Sequence, residues 1–87
     1  MRLPSQLRSL VGGVGEVPVT AATVREAIEA LDAAYPGIAF RVLDDRGALR
    51  RFVNVFVADE DIRFLQGLDT PVEAGQTISL VPAVAGG

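Results

Sequence analysis

The residues best placed to do chemistry are the last ones, Val84-Ala85-Gly86-Gly87. A terminal carboxylate is a poor electrophile, because a nucleophile would have to expel oxide. Joined to AMP as an acyl-adenylate it gains a good leaving group, and sulfide or a persulfide can then displace it. Glycine has no Cβ, so Gly86 and Gly87, led by the small Ala85 and by Val84, can thread a channel where larger residues would clash. The carboxyl group of Gly87 is then something another enzyme can operate on. That enzyme must bring ATP and magnesium, with cationic or backbone donors for the phosphate charge. No phosphate loop is present in this chain: Gly12-Gly13-Val14-Gly15 lacks the Gly-Lys-Ser/Thr continuation and reads as a turn. Two terminal glycines occur by chance on the order of once in two hundred chains. Their setting, after a strand ending at Pro82 and a run of small residues, gives them weight.

The remaining chemistry is sparse. Cysteine and histidine are both absent, which removes thiol nucleophiles, disulfides, the usual zinc sites and Ser–His or Cys–His pairs. All eight basic residues are arginine, so no lysine can form a Schiff base or accept an isopeptide bond. The net charge of −3 disfavours nucleic acid, whose phosphates need a basic stripe, and Arg50-Arg51 is too small a patch to reverse that. Asp59-Glu60-Asp61 lacks the interleaved ligand spacing of a calcium loop and reads as a solvated hairpin tip. No apolar run reaches bilayer length, and the expected location is the cytoplasm. These are poor tools for an enzyme and adequate ones for a protein handled by enzymes.

The elements that must position the tail fit one small domain of 87 residues, 49% of them apolar. Met1 to Gly13 reads as a very short strand and a loop, with Leu7, Leu10 and Val11 as core contacts. Glu16 to Thr20 reads as a strand whose Pro18 cannot donate to a ladder. Thr23-Val24-Arg25-Glu26 is a capping box. Val24, Ala27, Ile28, Leu31 and Tyr35 then recur at helical spacing until Pro36-Gly37 stops the helix. The stretch from Ile38 to Arg51, with its turn cluster Asp44-Asp45-Arg46-Gly47, reads as irregular. From Arg51 to Ala58 a strand places Val53, Val55 and Val57 on a core face and Phe52, Asn54 and Phe56 on the other. Ile62 to Phe64 is a short strand, and Gly67 to Val72 a loop or single helical turn. Glu73 to Gln76 turns into a last strand, Thr77 to Val81, with Ile78 and Leu80 inward. Strands before and after one crossover helix predict an α+β chain: a ubiquitin-like β-grasp roll, a mixed sheet packed on one main helix with a short first strand. Residues 1–82 form the domain and 83–87 a flexible tail. Outward Phe52, Phe56, Phe64 and Val81 form a candidate partner-docking patch.

The segments Arg51 to Phe64, Ala74-Gly75 and Ile78 to Gly87, with Leu3-Pro4, Leu7-Arg8 and Tyr35-Pro36-Gly37, resemble the ThiS/MoaD sulfur carriers. The resemblance is strongest to the CysO type, which also ends Val-Ala-Gly-Gly. It implies that Gly87 is adenylated by a MoeB/ThiF-like enzyme and converted to a thiocarboxylate, the carrier itself binding no cofactor. In the CysO type the sulfur passes to activated serine on a pyridoxal-phosphate (PLP) cysteine synthase, and a zinc-dependent JAMM-type peptidase frees the cysteine. Two neighbouring readings stay open: a MoaD-like small subunit of molybdopterin synthase, and a ubiquitin-like modifier joined through Gly87 to lysines. The family has a fuller first strand than Met1-Arg2-Leu3. Backbone groups of the last strand are therefore expected to need partners from residues upstream of Met1 or from another chain.

Overall fold

Thr23 opens the main helix, α2 (Val24–Ala34), which follows the short α1 (Ser5–Arg8) and precedes α3 (Ile38–Val42). The computed structural model describes residues 1–13, 15–51 and 53–82. At the start of α2, the Thr23 hydroxyl accepts from the Glu26 N–H at 3.2 Å. The Glu26 carboxylate reaches one residue further back than a standard capping box, accepting from the Ala22 N–H at 3.2 Å. Val24, Ala27, Ile28 and Leu31 are buried along one stripe, as their spacing predicts, and Tyr35 is half-buried beyond the last turn. Gly37 has φ of +103°, a left-handed exit that glycine adopts without a Cβ clash.

The sheet is assembled from both ends of the chain. Strand β1 (Val53–Val57) pairs antiparallel with β2 (Glu60–Asp61) and with β3 (Ile78–Pro82), giving the order β2-β1-β3. A two-residue turn at Ala58 and Asp59, both left-handed, joins β1 to β2. The register of β1 on β3 runs from Val57↔Ile78 to Val53↔Pro82. On the other side of β3, Arg2 donates its N–H to Ile78 O at 2.7 Å and accepts from Leu80 N at 3.0 Å, a parallel bridge. Arg2 also bridges Glu16 antiparallel, with Leu3 N to Gly15 O and Val17 N to Met1 O both at 2.9 Å. The short first strand therefore takes the central place, and its Arg2 satisfies backbone groups of β3 that the sequence had left in need of partners. One step further along this ladder would pair Pro4 with Leu80 and Pro82, and neither proline has an N–H to give. The ladder ends there for a covalent reason.

The core lies between α2 and the inner face of the sheet. Val53, Val55 and Val57 alternate inward, Ile78 and Leu80 meet them from β3, and Ile38, Val42, Ile62 and Leu68 close the sides. The buried Thr70 hydroxyl donates to Gly67 O at 2.6 Å and accepts from Gln66 N at 3.1 Å. Its carbonyl accepts from Val24 N at 3.1 Å, tying the turn at Gly67–Asp69 to the start of α2.

Several expectations are corrected. The strand-then-loop read over Met1 to Gly13 holds the short helix α1 and a 3-10 turn, Ser9–Val11, and Leu10 on that turn is 37% exposed while Leu7 and Val11 are buried. Glu16 to Thr20 contributes only the bridge at Glu16, since Pro18 cannot extend a ladder. The stretch read as irregular contains α3 and a bridge, Leu43↔Leu49. Helix α3 is held by Asp32, whose Oδ1 accepts from Gly37 N and Ala39 N, both at 3.0 Å. Ile62–Phe64 is a 3-10 turn rather than a strand, because the Asp61 carboxylate accepts from Arg63 N at 2.8 Å and turns the chain.

Burial sets the expected mutational contrast. Ile28→Ala removes a side chain that is 1% exposed and should cost about 2–5 kcal/mol in urea unfolding. Phe64→Ala, at a side chain 86% exposed, should stay within about 0.5 kcal/mol.

Candidate functional site

The tail is rooted where β3 ends. Pro82 lies opposite Val53, and β3 is paired to β1 up to that point. Gly87, Gly86, Ala85 and Val84, the expected chemical end, lie outside the described residues, as does the docking candidate Phe52. The boundary of a separate tail at residues 83–87 falls there too.

The other docking candidates sit on the outer face or its flank. Phe56 on β1 is half-buried and stands opposite Ser79; Val81 on β3 is exposed and stands opposite Asn54. Phe56 and Val81 are thus diagonal neighbours on one face. Phe64 projects from the 3-10 turn after β2 with 86% of its surface exposed. An exposed phenylalanine of this degree contributes nothing to the core and is available to a partner.

Arg63 organises the edge beside this face. Strand β2 pairs with β1 only at Phe56 and Val57, which leaves the earlier part of that edge without a strand. The Arg63 guanidinium fills the gap. It donates to Val53 O at 2.8 Å, to Arg50 O at 3.5 Å and to the Asn54 side-chain carbonyl. A charged side chain laid along an edge both satisfies carbonyls and deters strand addition. Arg50 is held in turn by Phe40: its Nε donates to Phe40 O at 2.9 Å and its guanidinium lies 5.2 Å over the ring. No spacing rule links positions 40, 50, 54 and 63; only the folded chain brings them together.

Between this edge and the start of α2 lies an open groove of about 430 Å³. Arg25, Arg46 and Arg63 line it over a floor that includes Leu49, Ile62 and Leu68, with no carboxylate among the described lining residues. Arg25 is met from outside by Asp69 at 3.3 Å, and Arg63 by Asp61 at 3.9 Å. The loop carrying Arg46 is shaped by Asp44, whose Oδ1 accepts from Arg46 N at 2.9 Å and Ala48 N at 3.0 Å. The Ala48 N–H is the main reason the Asp44 carboxyl titrates below its usual range. Partial desolvation opposes the shift, and the Arg46 N–H and the charges of Arg46 and Arg50 add to it.

Among the described residues no cluster of acidic side chains is arranged to hold a metal, and no helix is long and apolar enough to cross a membrane.

The chain is similar to known proteins over nearly its whole length. The family model described as the ThiS family matches residues 1–87. The sulfur carrier protein CysO of Mycobacterium tuberculosis is 42% identical over 87 residues, covering 98% of this chain and 94% of the relative. A chain in the crystal structure of the Amycolatopsis orientalis BexX/CysO complex superposes with a TM-score of 0.92 at 42% identity, covering 99% of this chain and 96% of that one. The small archaeal modifier protein 3 of Haloferax volcanii is 36% identical over 66 residues, 76% of this chain and 71% of the relative.

Asp44 supplies a pH test of the loop that presents Arg46. A depressed carboxyl pKa stabilises the fold above the ordinary carboxylate range, and that contribution is lost as pH falls through the folded value. The stability gap between the natural chain and Asp44→Asn should therefore be constant near neutrality and shrink below about pH 4. Denaturant unfolding across that range measures it; a gap independent of pH would deny the carboxylate its role.

Proposed function

The chain belongs to the ThiS family and is a sulfur carrier, and we propose that it holds its sulfur as a thiocarboxylate on Gly87 for a cysteine-type biosynthetic pathway. The supporting observation is the way β3 is held. It is paired on one side to β1 as far as Pro82 and on the other to Arg2, so the root of the tail is fixed while Ala83 to Gly87 follow it.

In this reading the Gly87 carboxylate attacks the α-phosphorus of ATP on an activating adenylyltransferase of the MoeB/ThiF kind, and pyrophosphate leaves. Hydrosulfide then attacks the acyl carbon and AMP departs with the former carboxylate oxygen; a persulfide donor would instead leave an acyl disulfide, whose S–S bond a second thiol of the donor cleaves reductively, forming the donor's disulfide. The product is a thiocarboxylate. The chain's own part is presentation: Gly86 and Gly87 keep the reacting carbon free of side-chain bulk, while Phe56, Phe64 and Val81 give the partner apolar surface to grip. ATP and magnesium belong to the activating partner, and the carrier binds no cofactor. A sulfur-accepting PLP synthase and a JAMM-type peptidase are the further partners that the family resemblance supplies. The A. orientalis CysO is named in complex with another protein, BexX, which supports a partner protein here as well.

A second reading is favoured by the likeness to the archaeal modifier. There the same activated Gly87 would be captured by a lysine amine on another protein, expelling AMP and forming an isopeptide bond. Sulfide and an amine compete for one acyl-adenylate, so the two readings share the first step and part at the nucleophile.

Intact mass spectrometry separates them. Incubated with its native activating enzyme, ATP-Mg and a sulfur source, the chain should gain the mass of sulfur for oxygen. Because oxidation of Met1 adds nearly the same mass, a thiol-selective reagent must also label the C-terminal peptide. Deletion of Gly87 should abolish loading and leave the unfolding midpoint unchanged. Labelling that survives the deletion would place the sulfur elsewhere, and conjugates resistant to boiling in detergent and reductant would favour the modifier.

A further inference from the structure

Resting on the carrier reading, we propose that the arginine-rich flank of β1 receives an acidic segment of the activating partner. The chain as a whole has eleven acidic residues against eight basic ones. Their distribution is uneven. Asp59 and Glu60 stand at the turn that closes the far end of β1, and Glu26 and Glu29 are exposed on α2. Arg50 and Arg51 stand at the near end of β1, just before the Val53↔Pro82 pair from which the tail departs. The Arg63 guanidinium reaches the same level through Val53 O and Arg50 O. Through Arg63 this cluster continues into the groove lined by Arg25 and Arg46.

The carboxylates facing this flank leave it in cationic surplus. Asp69 is engaged with Arg25, Asp61 lies 3.9 Å from Arg63, and Asp44 faces Arg46 and Arg50 while spending its Oδ1 on backbone N–H groups. Arg50 bonds to a carbonyl and a ring rather than to an acid. Among the described residues, the side chains of Arg46 and Arg51 make no hydrogen bond or ion pair. The flank is thus positive on a chain whose net charge is −3. It complements a negative surface placed beside the channel that takes the tail, which orients the carrier with Gly87 foremost. The apolar groove floor favours a peptide segment with both acidic and aliphatic side chains.

The test is adenylation of the full chain by its activating enzyme, followed by pyrophosphate release against carrier concentration and salt. Arg51→Glu and Arg46→Glu should each raise KM about tenfold at ~50 mM salt with kcat within about twofold, and approach the natural chain near ~0.5 M as screening shortens the reach of charge. Glu29→Arg makes an equal and opposite change in net charge on the exposed face of α2, away from the flank, and should leave KM within about twofold. Unchanged melting temperatures establish that the variants fold. Natural KM values for Arg51→Glu and Arg46→Glu at low salt, or a tenfold fall in KM for Glu29→Arg, would overturn the assignment while leaving the carrier reading intact. A natural chain that its activating enzyme does not adenylate would remove the carrier reading itself.

Discussion

The β1–β3 ladder is the constraint on which the rest of the structure depends. It joins two strands more than twenty residues apart in the chain, and its inner face is the valine, isoleucine and leucine surface on which α2 lies. It also decides where the chain end can go. The last cross-strand pair is Val53↔Pro82, and the prolines at 4 and 82 deny the neighbouring ladder any further step. Pro82 itself stands at the end of the sheet that holds Arg50, Arg51 and Arg63, at the border of the outer face that carries Phe56 and Val81. Packing, backbone pairing and the placement of charge thus converge on one end of the sheet.

On the proposed reading, a folded body presenting a reacting end accounts for the sparse residue set. A carrier handled by other enzymes would gain from having no competing nucleophile, and without cysteine, histidine or lysine the carboxyl of Gly87 would be the distinctive group. Specificity then has to reside in shape and charge. The edge of β1 shows how one residue can serve both: Arg63 substitutes for missing strand pairing, and its charge joins the flank that faces outward.

Much of this was legible in the sequence where a period is long enough to be read. Eleven residues of α2 show their stripe and their Thr23 cap, and the alternation of Val53, Val55 and Val57 named the core face of β1 correctly. The inward Ile78 and Leu80 followed by the same rule. The four and five residues of α1 and α3 are too short for a period to emerge, and both depend on contacts made elsewhere, as Asp32 holding the entry to α3 shows. The β-branched run near Pro18 looked like a strand because propensity ignores whether a ladder partner is in reach. Arg63 at the edge of β1 and the arginines of the groove were out of view, since their convergence is a product of sheet register and loop closure. The expectation that Gly86-Gly87 is the chemical end rests on chemistry alone, since those residues lie outside the described ones.

Backbone amide hydrogen exchange of the carrier, alone and with its activating enzyme under ATP-Mg, tests most directly the claim that one end of the sheet is the working end. Protection should rise in residues 50–56, 63–64 and 79–81 and stay unchanged along the exposed face of α2 around Glu26 and Glu29. Protection gained on α2 or near Glu16, with the Val53–Pro82 end unaffected, would contradict the account.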